Sequence, residues 1–153
     1  LESVVMAPCW TVMLAFPQAM QPGLTTLGPQ WNAARSTHHR ISWLARESSK
    51  PGRGQIERWT VQAHPQWSAE HFHDSPQRVQ AKLERAFADV TGIHAQPSWS
   101  AIHRWEWAQT TQALGRSYLW DADLSLGACG DWCLGHRVEN AFISGLELAL
   151  HLA

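Results

Sequence analysis

The sequence predicts an α+β fold: a mixed, mainly antiparallel sheet with a helix on one face, then a terminal strand–turn–helix. Alternating apolar and polar residues recur at Ile41, Trp43, Ala45, at Trp59, Val61, Ala63, and at Trp99, Ala101, His103, Trp105, Trp107, the period of a strand with two unlike faces. Between Ser75 and Gly92 the apolar residues Val79, Leu83, Ala86, Phe87 and Val90 fall instead at helical spacing. The last part of the chain passes from a short strand through a turn into an apolar helix. Strands with one long surface helix make a sheet covered on one side.

Taken in order, Val4 to Phe16 is apolar on both alternating sets, which predicts a strand buried on both faces with a break near Pro8. Pro17 to Pro29 is rich in Pro, Gly and Thr and reads as loop. Strands follow at Ile41–Ala45 and Glu57–Ala63, separated by a polar turn from Ser48 to Gly54. His64 to Phe72 suggests a short helix. Ser75 suits an N-cap, Pro76 the first helical position, and Gly92 the C-terminal stop. Pro97 opens a strand to about Ala108. Gln109 to Asp123 reads as loop, Leu126–Cys129 as a short strand, Gly130–His136 as a turn and Arg137–Leu152 as a helix. Two parts are expected: residues 1–116 as a substrate-binding domain and 117–153 as a terminal segment.

Composition narrows the function classes. Hydrophobic residues are 44% and charged residues 16% of 153, enough for a core and too few charges for a disordered chain. A net charge of −1 without a basic stripe argues against nucleic acid. Cys9, Cys129 and Cys133 are an odd number, which argues for a reducing compartment and a cytoplasmic protein. The longest apolar run is too short to cross a membrane. Ten tryptophans are far more than a chain of this length usually carries. Each serves packing first, but together they suit a pocket for a flat ligand.

The stretch Cys129-Gly130-Asp131-Trp132-Cys133-Leu134-Gly135-His136-Arg137-Val138-Glu139-Asn140-Ala141 carries the most chemistry. A strand ends in Gly-Asp and a loop then feeds a helix. Gly130 allows close backbone approach, Asp131 can accept hydrogen bonds from ligand hydroxyls, and the first helical amides can meet electron-rich atoms. The plainer alternative is that Asp131 is a turn residue and Gly130 shapes the bend. His103 either presents a polar group among tryptophans or is a core histidine bonded to backbone. Cys129, Cys133 and His136 have a spacing open to zinc but no clear second ligand pair, so no metal is expected. No Gly-x-Ser-x-Gly elbow supports hydrolysis.

Gly130-Asp131-Trp132-Cys133-Leu134, then Arg137-Val138-Glu139, Ala141 and Ser144-Gly145, resembles the C-terminal flavin signature of the renalase family, within the amine-oxidase-like flavoproteins. Ala7 to Phe16, Trp43-Leu44-Ala45-Arg46, Ser49-Lys50-Pro51, Trp59, Gln66-Trp67-Ser68 and His103-Arg104-Trp105 extend the resemblance over nearly the whole chain. It implies noncovalent FAD held by Gly130, Asp131, Arg137, Val138, Glu139 and Ala141, catalytic positions at His103 and Trp105, and a substrate pocket with Trp43 and Arg104. It further implies oxidation of isomeric dihydronicotinamide dinucleotides to NAD(P)+, with oxygen reduced to hydrogen peroxide.

Asn140 stands where the family usually has Gly. The chain opens on Leu1, and no Gly-x-Gly-x-x-Gly turn for a pyrophosphate is present. The expectation is therefore a C-terminal half, inactive alone, whose last segment can fold back or self-associate by swapping between chains. The rival expectation is a non-catalytic small-molecule-binding module with an aromatic pocket.

Overall fold

The computed structural model describes residues 3–17, 29, 31–53 and 56–153. It is α+β, with a mainly antiparallel five-stranded sheet. The chain divides into two compact units, Pro8–Glu106 and Leu1–Ala7 with Trp107–Ala153.

In the first unit the elements are β1 (Val5–Phe16), β2 (Ala33–Arg35), β3 (Ile41–Arg46), β4 (Glu57–Ala63), α1 (Pro65–Glu70), α2 (Pro76–Thr91) and β5 (Trp99–Gln112). β1 and β5 each begin or end in the other unit. The sheet order is β2-β3-β4-β1-β5, with β2/β3, β3/β4 and β4/β1 antiparallel. Trp10, Val12, Leu14 and Phe16 of β1, with Trp59, Val61 and Ala63 of β4, line one face and are buried. Onto it α2 lays Val79, Leu83, Ala86 and Phe87. Phe87 stacks on Phe16 at 5.7 Å and meets Trp59 edge-on at 5.5 Å. Each such large side chain contributes about 1.5–3 kcal/mol by leaving water.

α2 runs between the expected signals. Pro76 supplies the first helical φ, and Gly92 closes the helix at φ 74°, where a side chain would be strained. Ser75 has extended cap geometry but makes no side-chain cap bond. Asp74, just before it, takes Lys82 at 3.1 Å and lies near Arg78 at 3.9 Å.

Four expectations need correction. β1 continues through Pro8. Its pairing with β4 begins at Thr11, so the missing Pro8 amide removes no bond from that ladder. Nor is β1 buried equally on both faces: Cys9, Met13 and Ala15 are only half-buried, although Thr11 is buried. A register shift between Ile41 and Trp43 sends Ile41 and Leu44 to the core and breaks the expected alternation. Residues 109–123 are not all loop, because β5 extends to Gln112 and Tyr118–Asp121 forms a strand. Most of the loop expected between Pro17 and Pro29, and Gly54 of the polar turn, lie outside the described residues.

In the second unit β6 (Tyr118–Asp121) and β7 (Leu126–Cys129) form an antiparallel pair, followed by a 3-10 turn at Asp131–Cys133 and by α3 (Val138–Leu152). His151 of α3 lies against Tyr118 and Trp120. At Gly127 an added Cβ would crowd Leu148 of α3 at 3.1 Å. Cys133 is fully buried. Leu114 and Gly115 donate backbone bonds to the carbonyls of Trp132 and Cys133.

Candidate functional site

The candidate residues fall into two sets, one in each unit. In the first unit the sheet face away from α2 carries a row in which Trp43 lies opposite Gln62, and Gln62 opposite Thr11. The next row is Ala45, Thr60 and Met13.

The contacts of β5 fix which of its residues share that face. Ser100 accepts from Gln80 of α2 at 2.6 Å, and Ile102 packs on the core. Arg104 donates to the Phe72 carbonyl at 2.6 Å, with its guanidinium 4.2 Å from the Phe72 ring and 5.6 Å from the Trp10 ring. These even-numbered residues are on the helix side, so Trp99, His103 and Trp105 project from the other. The His103 and Trp105 rings meet at 4.4 Å and 65°.

Trp43, His103 and Trp105 therefore share the sheet face away from α2, and Arg104 does not. Arg104 is instead occupied in tying β5 to the segment after α1. His103 is exposed rather than a core histidine, and Trp105 is 53% exposed. Trp10, Trp59 and Trp67 serve the core, whereas Trp99 and Trp105 do not. A cleft of about 310 Å³ lined by Leu14, Phe16, Glu84, Arg85, Phe87 and His94 includes none of the expected site residues.

In the second unit Gly130 is extended, and its amide donates to Ser144 Oγ at 2.9 Å. An added Cβ there would run into the Trp132 indole, so the missing side chain is explained by local packing. Asp131 Oδ1 accepts from the Trp132 amide at 2.9 Å, and the Asp131 carbonyl takes the amides of Leu134 and Gly135. A Cβ at Gly135 would meet the Asn140 amide group, so Asn140 lies directly over the turn.

Arg137 is the N-cap of α3 and makes no side-chain cap bond. Arg137, Val138, Glu139 and Ala141 are exposed. The first amides of a helix lack intrahelical acceptors, so this start presents donors and the positive end of the dipole. Those features fit an electron-rich edge of a flavin. Asp131 fits a ligand hydroxyl through its other carboxylate oxygen, and the Gly130 amide is already spent on Ser144.

Ser144, part of the motif but given no role there, supports the Gly130 turn. The signal in the sequence was a lone serine within an apolar helix, and the structure buries it. Among the described residues no group of three or more His, Cys, Asp or Glu is placed to hold a metal, and no helix is long and apolar enough to cross a membrane. No protein-family model matches the chain.

Proposed function

We propose that this chain is the C-terminal part of an FAD-dependent, renalase-like oxidoreductase acting in the cytoplasm on isomeric dihydronicotinamide dinucleotides. The observation that carries the reading is the uncapped start of α3 directly after the Gly130-Asp131 turn. Bound FAD would supply a hydride acceptor for the dinucleotide, which would leave as NAD(P)+, and a route for the two electrons, with a proton, to oxygen as hydrogen peroxide.

The amides at Val138 and Glu139 stabilise negative charge on the bound ring system. The Asp131 carboxylate accepts hydrogen bonds from the cofactor's hydroxyls. On the sheet face away from α2 Trp43 and Trp105 supply flat apolar area for a substrate ring, and His103 supplies a hydrogen-bonding group beside it. Arg104 has no part in the pocket in this reading.

The test is stopped-flow flavin reduction in the full-length gene product carrying His103→Ala or Trp105→Ala. Slower reduction, or a raised KM, with flavin retained supports the reading. Wild-type rates and KM in both variants would remove the sheet face from the site. A full-length protein that binds the dinucleotide without flavin would favour the non-catalytic binding module.

A further inference from the structure

The turn between β2 and β3 is fastened by a histidine. The His38 amide donates to Ser36 Oγ at 3.0 Å, and the His38 carbonyl accepts from the Ile41 amide at 3.2 Å. His38 Nδ1 accepts from the Arg40 amide, also at 3.2 Å. A side-chain acceptor taking the amide two residues on is the bond by which Asn and Asp close turns. Imidazole can make it only when neutral, with its proton on Nε2. The turn also joins its neighbours. The Ser36 amide donates to the Ser42 carbonyl at 3.0 Å, next to the rung that pairs Arg35 with Trp43. The Arg40 carbonyl takes the His64 amide at 2.9 Å, just before α1, and the Arg40 guanidinium reaches the Lys82 carbonyl of α2 at 3.5 Å.

We infer that His38 is an acid-sensitive clasp: a proton taken up at Nδ1 abolishes the bond from the Arg40 amide and opens the turn between Ser36 and Ile41. The protonated ring has no acceptor left, so the Arg40 amide must turn to water. The new charge also meets its own kind, because the His39 ring lies 4.4 Å away. Among the described residues the groups acting on the ring are His39 and Arg40 on the turn, Asp89 on α2 and His64 before α1. Lys82 offers the turn only its carbonyl and gives its ammonium to Asp74. Burial, first, and then His39 and Arg40 lower the His38 pKa; Asp89 opposes them and His64 adds to the lowering. A folded-state value below the ordinary one means that the clasp is closed above the ordinary histidine range. It is lost as pH falls through the lowered value. The inference does not depend on the flavin reading.

Nitrogen-15 NMR of the full chain, titrated from about pH 8 to about pH 5 across the histidine range, tests it. Neutral His38 should show the Nε2–H tautomer. The Arg40 amide resonance should move together with the His38 ring as pH falls. Its exchange protection, corrected for the intrinsic effect of pH, should drop roughly two- to tenfold, the net worth of one hydrogen bond. His38→Asn places an acceptor that does not titrate at the same reach, so the Arg40 amide should stay protected throughout. His38→Ala should leave that amide unprotected at both ends of the range. A neutral His38 in the Nδ1–H tautomer overturns the inference, as does an Arg40 amide that ignores the titration of the ring. So does a wild-type pH response that persists in His38→Asn.

Discussion

The backbone amide of Gly130 donates to the Ser144 hydroxyl at 2.9 Å, and that hydroxyl donates onward to the Ser117 carbonyl. One side chain on α3 thus ties down both the Gly-Asp turn and the start of the β6–β7 hairpin. Ser144→Ala removes both bonds and should destabilise the chain by about 1–3 kcal/mol, with faster hydrogen exchange at the Gly130 amide. A urea midpoint and exchange rate equal to wild type would show that the turn holds itself.

Arg46 and Glu57 form the main ion pair of the sheet. The guanidinium meets the carboxylate through Nε at 2.6 Å and Nη2 at 2.9 Å, and Glu57 is buried. The hydrogen bond to Glu57 raises the Arg46 pKa further above its already high ordinary value. Arg46→Met should cost about 3 kcal/mol by leaving a buried carboxylate unpaired, at the low end because Arg46 is partly in water. Adding Glu57→Gln should recover part of that loss. A single Arg46→Met change costing under about 0.5 kcal/mol would place this pair with ordinary surface pairs.

Asp74 has a lowered pKa, first through the hydrogen bond from Lys82 and then through the charges of Lys82 and Arg78, against an opposing effect of desolvation. A folded-state value below the unfolded one stabilises the fold above the ordinary aspartate range, and this contribution is lost as pH falls through the folded value. An NMR titration should find the Asp74 carboxyl titrating below ordinary aspartate, and Lys82→Met should bring it back up. An Asp74 titration unchanged by Lys82→Met would contradict the assignment.

What the sequence made legible was local. The Ser75-Pro76 start, the apolar spacing from Val79 to Phe87 and the Gly92 stop are neighbours in sequence, and α2 follows them. The strand at Glu57–Ala63 was legible because one face is wholly buried. The shift between Ile41 and Trp43 was not, since pairing with β4 decides it. Tyr118–Asp121 lay within a polar-flanked stretch, and β7 makes it a strand. Alternation put His103 and Trp105 on one face of β5, where their rings meet. Arg104 was named for the pocket through the family resemblance, while the same alternation sets it on the other face, where it donates to the Phe72 carbonyl.

The 153-residue chain lacks a Gly-x-Gly-x-x-Gly turn, the element that would hold a dinucleotide's pyrophosphate. It should therefore purify colourless or with weak flavin occupancy. A stoichiometric yellow preparation of this chain would show that its own residues suffice to retain FAD.

Flavin-dependent oxidation by the full-length gene product is the proposed activity. The most direct measurement is its visible absorbance during anaerobic addition of an isomeric dihydronicotinamide dinucleotide. A yellow protein is expected whose flavin bands bleach as the ordinary oxidised dinucleotide forms, then return on admission of air as hydrogen peroxide appears. A full-length protein that is colourless and takes up no added FAD, or one whose flavin stays oxidised in the presence of that substrate, would contradict it.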